Sequence, residues 1–406
     1  MQELTTLKLS CNTNKIMTNP IKFSVFLLVA GLVAFASCDK NPIGPTPDPE
    51  SQAILFADPA NCFMVSEPGF YTFKTVKGKT SESVGDVAVA VVLWETFGTD
   101  TQPKVGDVIA EAYYKDGQVY FKTPDVLKDG NALIAVKDAG NKILWSWHIW
   151  VCNGWDAKAT AQTYYNKSNG TFPFTPVMDR NLGATSATPN DIKCLGLMYQ
   201  WGRKDPFLGN DGVSDHKAAA STLIWPDPVL STAETGTIEF VTAHPTVIVY
   251  SGQHSNNGDW YHAEGAHVTD DTRWQEKKDL YDPCPAGWTL PRVHPTKEEG
   301  LWSNAFGNEW YAMGCNKTDQ GAELGGILGD AKSIWYPLTG NYAFEDGRLH
   351  PIHLISIWSS DLPVNQDNHN MGMIFYGYIS LQEEFVFFSE YSGRSHAFPT
   401  RCVAVK

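Results

Sequence analysis

The sequence predicts a β-sandwich over residues 51–155, followed by a loop-rich α+β domain over 156–406. Short runs of β-type text, separated by the turn pairs Pro68-Gly69, Asp116-Gly117, Asp129-Gly130 and Gly140-Asn141, fill the first part. After Trp155 the alternation fades, and stretches rich in Gly, Asn, Asp and Trp take over. An apolar segment ending in a cysteine precedes both parts and implies export.

That segment, Phe23 to Ala36, is fourteen residues long and follows Lys22. It is within the roughly 7–15 residues of a secretory core and short of the roughly 20 that a spanning helix needs. Its close, Phe35-Ala36-Ser37-Cys38, resembles the lipobox cut by the lipoprotein signal peptidase. The resemblance implies that 1–37 is a signal peptide and that Cys38 becomes a lipidated N-terminus. Membrane contact is then through lipid, at the outer membrane. Display at the cell surface is expected, and the periplasmic face is the alternative. Ordinary secretion with Cys38 incidental is the competing reading. Met17 begins a better-proportioned signal than Met1. Residues 38–50 carry Pro42, Pro45, Pro47 and Pro49 with little to bury, and read as an extended tether.

Loss of Lys8, Lys15, Lys22 and Glu3 with the signal moves the net charge from −14 to −16. An acidic chain of this kind repels phosphate backbones, so no nucleic-acid partner is expected. Besides Cys11 and Cys38 the chain holds Cys62, Cys152, Cys194, Cys284, Cys315 and Cys402. An even set in an exported protein is compatible with up to three disulfides, and no C-x-x-C spacing suggests zinc or redox chemistry.

Within 51–155, Gly69–Lys74 alternates in part, Val87–Trp94 is a buried β-type run, and Gln118–Phe121 follows the Asp116-Gly117 turn. The run Ile143–Trp150 sets Trp145, Trp147 and Ile149 on one face and Leu144, His148 and Trp150 nearer the other, so both faces are expected to be covered. A lone histidine there reads as a hydrogen-bonded packing residue rather than a ligand.

The second part has a modest helical allotment around 297–306 and much of a set of fourteen tryptophans, which suit gap-filling between irregular segments or sugar platforms. It carries Val177-Met178-Asp179-Arg180-Asn181-Leu182-Gly183-Ala184, then Gly196-Leu197-Met198-Tyr199-Gln200-Trp201-Gly202-Arg203-Lys204-Asp205-Pro206-Phe207, then Asp282-Pro283-Cys284-Pro285-Ala286-Gly287-Trp288-Thr289-Leu290-Pro291, Trp358-Ser359-Ser360 and Arg401-Cys402-Val403. In order and spacing these resemble the Fibrobacter succinogenes major paralogous domain of Bacteroidetes surface lipoproteins. Thr289, Arg292 and Ile357 depart from the family pattern, in which arginine, threonine and tyrosine are usual. The resemblance implies a C-type-lectin-like fold and a bridge from Cys284 to Cys402. Cys194 with Cys315 and Cys62 with Cys152 are the pairings left over. The charged residues beside buried aromatic text, Asp179-Arg180 and Arg203-Lys204-Asp205, read as internal ion pairs that pin loops.

The chain has no H-E-x-x-H, G-x-S-x-G or EF-hand pattern, and no cofactor or catalytic set is expected. Trp358-Ser359-Ser360-Asp361 stands where sugar-binding C-type lectins hold calcium through a Trp-Asn-Asp motif. The best metal candidates are His254, His262 and His267, interspersed with Asp259, Glu264, Asp270 and Asp271. A candidate ligand surface is Trp225, Trp260, Tyr261, His262 and Trp274, since rings stack on sugar C–H faces while neighbouring polar groups hold hydroxyls; the alternative is that these rings anchor the long 205–281 insertion. The leading expectation is a non-enzymatic, lipid-anchored envelope protein acting in adhesion or in recognition of a glycan or protein, with a fimbria-like assembly as the setting the family resemblance implies. A glycan-active or metal-dependent hydrolase and a structural envelope scaffold are the alternatives.

Overall fold

The computed structural model describes residues 49–163, 176–214, 216–252, 258–262, 269–292, 317–324, 334–351, 354–363, 371–379 and 385–405. Cys38, the signal segment and the helix expected at 297–306 lie outside them. Residues 48–406 group into one compact unit. The described chain is mostly β and rich in loops, and its longest helix, Ile238–Ala243, has six residues. Among the described residues no helix is long and apolar enough to cross a membrane.

Eight strands form the first part: β1 (Ile54–Leu55), β2 (Cys62–Val65), β3 (Phe70–Lys74), β4 (Val89–Thr96), β5 (Glu111–Lys115), β6 (Gln118–Lys122), β7 (Gly130–Lys137) and β8 (Ile143–Val151). They build two four-stranded sheets, ordered β1-β3-β6-β5 and β2-β8-β7-β4. β1 runs parallel to β3 and β2 parallel to β8, so the chain changes sheets between Leu55 and Cys62. The Asp116-Gly117 pair joins β5 to β6 as a two-residue turn with both φ positive, 49° and 80°, the conformation such a dipeptide favours.

Phe73 of β3 stacks on Phe63 of β2 at 4.4 Å and meets Trp147 of β8 at 5.0 Å, so the two sheets share an apolar core. Trp145, Trp147, Ile149 and Val151 enter that core. Trp150 and Cys152 enter a second core with Leu182, Tyr199, Trp201, Cys284, Trp288, Trp358 and Cys402. The β2-β8-β7-β4 sheet is thus covered on both faces. This explains why β7 and β8 read as near-continuous apolar runs.

Polar groups tie the second face of β8 to the rest of the chain. Asn131 donates its amide to Gly183 O at 2.8 Å and so presents Oδ1 to His148 Nε2 at 2.8 Å. Burial pushes the His148 imidazole down to about 3 and His396 to about 4. Both stay neutral in the fold while an unfolded chain protonates near 6.5. Their stabilisation is therefore complete above about pH 6.5 and is lost progressively as pH falls toward 4, on the order of 3 kcal/mol each by about pH 4.5. The urea midpoint is expected to drop over that window, and to drop less in His148→Gln. A midpoint equally acid-sensitive in wild type and variant would remove His148 from the account.

Candidate functional site

The five quoted sequence motifs converge in space, and their polar groups satisfy one another. Asn181 Oδ1 accepts from Arg401 Nε at 3.1 Å and Nη2 at 2.8 Å, while Arg401 also donates to Trp335 O at 2.8 Å. Trp358 Nε1 donates to Tyr199 O at 2.8 Å, and Trp201 Nε1 to Ser359 O at 3.2 Å. Gly183 and Gly196 hold positive φ, and a Cβ on Gly183 would stand 2.5 Å from Leu197. Only glycine fits where these two motifs cross.

The expected internal ion pairs are present. Arg180 pairs with Asp179 at 2.9 Å and lies 4.2 Å from the Trp155 ring. Buried Lys204 donates to Asp205 at 2.6 Å and to the Ser146 hydroxyl and carbonyl oxygens at 2.7 and 3.0 Å. All three ammonium donors are placed, so the charge is compensated without water. These residues fasten the 204–205 turn to β8.

The carboxylates weighed as metal ligands are engaged by arginines. Asp259 Oδ2 accepts from Arg273 Nη2 at 2.9 Å and from Arg394 Nη1 at 3.3 Å, with all three side chains buried. Arg394 Nη2 reaches Asp271 at 2.5 Å, and Arg273 Nε donates to Asp270 O. Among the described residues no group of three His, Cys, Asp or Glu side chains is placed to hold a metal. His254, His267 and Glu264 lie outside the described residues. His262 is exposed.

The candidate ligand surface does not form as one face. Trp260 and Trp274 are 0% exposed and belong to the interior. Trp260 donates to Trp201 O at 2.8 Å and lies under Arg273 at 4.3 Å; Trp274 donates to Tyr281 O at 3.0 Å and packs on Trp201. Each indole has found its hydrogen-bond partner inside the fold, which removes it from any ligand. Trp225 is half-buried, donates to Ser221 Oγ at 2.9 Å and packs on Trp94.

Tyr261 and His262 do line a cleft of about 620 Å³. Its walls are the Lys142–Trp145 segment at the start of β8, Lys77, Glu82 and Val84, the helix Ile238–Ala243 with Thr237, and Lys277, Leu280 and Tyr281. Thr237 starts that helix by accepting from Phe240 N at 3.1 Å. Gly236 touches His262 so closely that a Cβ there would stand 2.5 Å from its side chain. Lys77 pairs with Glu82 at 2.5 Å, whereas Lys142 and Lys277 have no carboxylate partner among the described residues. Glu239 is the remaining carboxylate of the lining. The cleft therefore carries an excess of basic groups on an acidic chain. Sequence reasoning missed its lysines, which are far apart in sequence and belong to no motif.

The cysteines divide. Cys284 and Cys402 are bridged, with Cα atoms 5.9 Å apart. Cys62, Cys152 and Cys194 are buried free thiols. The left-over pairing of Cys62 with Cys152 fails on geometry. Cys62 is opposite His148 in the parallel β2–β8 ladder, four residues from Cys152. At about 3.3 Å per residue that offset is roughly 13 Å, beyond the reach of a disulfide. Cys194 Sγ donates to Thr188 O at 2.9 Å, and Cys315 lies outside the described residues. Burial raises the Cys152 and Cys194 thiols to about 12, which keeps them protonated and unreactive. No protein-family model, curated protein or solved structure matches this chain.

Proposed function

We propose that this is a lipid-anchored cell-envelope protein that recognises an external ligand, an acidic glycan, through the cleft between β8 and the Ile238–Ala243 helix. The observation that carries the reading is that cleft. Leu280 and Ile143 give it apolar ground, Tyr261 and Tyr281 give it rings, and Lys142, Lys277 and His262 stand at its wall. Rings stack on sugar C–H faces, and unpaired ammonium groups attract carboxylates. A protein partner with an acidic segment is the competing occupant.

The anchor rests on the Cys38 lipobox and the proline tether after it. The fold reading joins two parts. The sheet orders β1-β3-β6-β5 and β2-β8-β7-β4 support an immunoglobulin-like sandwich for the first. The Cys284–Cys402 bridge and the convergence of the five motifs support a C-type-lectin-like module of the Fibrobacter succinogenes major paralogous type. A hydrolase built on Asp259, Asp270 and Asp271 is disfavoured by the arginines that hold them.

Two measurements test the proposal. Wild type is expected to be shaved by protease from intact cells, and Cys38→Ala to be released unanchored; protection until the outer membrane is opened would refute surface recognition. On an array of uronate- and sialate-bearing glycans the Lys142→Glu/Lys277→Glu variant is expected to bind at least about tenfold more weakly, the scale of two lost ion pairs. Equal binding by the variant, or binding only to acidic peptides, would overturn the glycan assignment.

A further inference from the structure

The chain enters the fold at the same end of the sandwich as the basic cleft. Glu50 is pinned there, its carboxylate accepting from Tyr113 Oη at 3.2 Å and pairing with Lys115 Nζ at 2.8 Å. Lys115 closes β5 and is opposite Gln118 of β6, which is in turn opposite Lys74, the last residue of β3. Thr75 N then donates to Gly117 O at 3.0 Å, and the chain runs through the Val76–Ser83 bridge, whose loop gives Lys77, Glu82 and Val84 to the cleft wall. β7 ends and β8 starts at this end too, since Lys137 is opposite both Val89 and Ile143, and Lys142 completes that wall. From β5 to β3 is two strand spacings, about 10 Å. Glu50 is thus a short step from the cleft.

Eleven residues, Asp39 to Pro49, separate Glu50 from Cys38, and four of them are proline. As an extended proline-rich segment, at about 3.1 Å per residue, they reach roughly 34 Å. The compact unit 48–406 has the length of a body about 50 Å across. The tether is shorter than the body it carries. A lipid on Cys38 therefore keeps the cleft end near the membrane, whichever way the body turns. Lys142 and Lys277 are exposed, and each offers one screened ion pair, so a free acidic sugar is held weakly. A ligand in the same membrane differs, because the shared anchor makes the encounter intramolecular, with an effective concentration on the millimolar scale. A weak site is then filled.

We infer that the cleft takes its acidic glycan from the membrane that holds the anchor: the sugar headgroup of an anionic glycolipid in the same leaflet, its acidic group on Lys142 and Lys277 and a ring face on Tyr261 or Tyr281. This rests on the acidic-glycan reading of the cleft and on the Cys38 anchor, and adds the source of the ligand. The protein holds one surface twice, by its lipid and by its cleft. The second grip fixes which way the body faces, which a single anchor point does not.

The test places the full lipidated chain in phosphatidylcholine vesicles carrying glucuronosyl diacylglycerol or sialyl-lactosyl ceramide. A water-soluble acetylating reagent and peptide mass spectrometry then read the exposure of Lys142 and Lys277, with Lys104 and Lys128, from the loops at the opposite end of the sandwich, as internal controls. Both cleft lysines are expected to be protected, and to stay so when the vesicles are diluted, because the partner is in the same membrane. Cys38→Ala, mixed with the same vesicles, is expected to need at least about a hundredfold more glycolipid for equal protection. Neutral galactosyl diacylglycerol, and phosphatidylglycerol, anionic without a sugar, are expected to leave both lysines open. Protection by phosphatidylglycerol equal to that by the acidic glycolipids would make this a general charge contact and overturn the inference. Protection of Cys38→Ala equal to wild type, or protection by free methyl glucuronide or sialyllactose and not by the glycolipids, overturns the shared-membrane source and leaves the acidic-glycan reading standing. No protection by free or lipid-borne sugar removes both.

Discussion

Loss of the Cys284–Cys402 bridge is expected to lower stability by about 5 kcal/mol. The bridge spans 118 residues, and a closed loop of this length removes about that much chain entropy from the unfolded state. The bridge also fixes a local junction. Two residues make up each strand of the ladder beyond it, Trp288 opposite Ala404 and Thr289 opposite Val403. Met178 N donates to Cys402 O at 3.0 Å on the other side. So short a ladder has little strength of its own, and the covalent link holds the C-terminal strand between 177–178 and 288–289. Urea unfolding of wild type with and without dithiothreitol, beside the Cys284→Ala/Cys402→Ala variant, measures the effect. Reductant should shift wild type strongly and the double variant hardly at all. A wild-type midpoint indifferent to reductant would mean that the apolar packing around Trp288 and Trp358 carries the junction alone.

Four of the first eight strands were legible because their signals are local. Gly69–Lys74, Val87–Trp94, Gln118–Phe121 and Ile143–Trp150 fall within a residue or two of β3, β4, β6 and β8. The Asp116-Gly117 and Gly140-Asn141 turns appear where the residues demand positive φ. β7 escaped notice although Gly130 marks its start, since Gly-Asn-Ala-Leu-Ile-Ala-Val alternates in nothing when both faces are buried. The site was legible only in part. Tyr261 and His262 do stand at a cleft, but Trp260 and Trp274, offered with them as a possible ligand surface, are buried and anchor the loop instead. Of the polar residues near them, Asp259 belongs to a buried charge cluster with Arg273 and Arg394, joined by tertiary contacts that no local spacing encodes. The same limit applies to the lysines of the cleft. The one long-range link anticipated, Cys284 to Cys402, came from family resemblance and not from the spacing of the cysteines.

The charge cluster is where a stability effect and a functional alternative can be separated. Asp259→Asn keeps the volume of the side chain and removes its charge, leaving Arg273 and Arg394, 0% and 1% exposed, facing each other across the site. Burial already depresses the Arg273 guanidinium, and the neighbouring Asp259 charge is the chief influence restoring it. Asp271 and Asp270 remain near the pair but are partly open to solvent, so they screen poorly. Breaking a buried pair from one side costs about 3–5 kcal/mol, because the uncompensated charge stays in place. Asp259→Asn is expected to unfold that much more easily, and a second change, Arg394→Gln, to return part of the loss by removing one of the two like charges left facing each other. A catalytic Asp259 would behave otherwise: catalytic carboxylates are held against the needs of the fold, so their removal abolishes turnover while leaving stability unchanged or raised. Thermal and urea unfolding of the single and double variants therefore decide between an aspartate that holds Arg273 over Trp260 and Arg394 over Trp201 and one poised for hydrolysis. Destabilisation relieved by the second change is the outcome that the packing of Arg273 over Trp260 at 4.3 Å and of Arg394 over Trp201 at 4.3 Å demands.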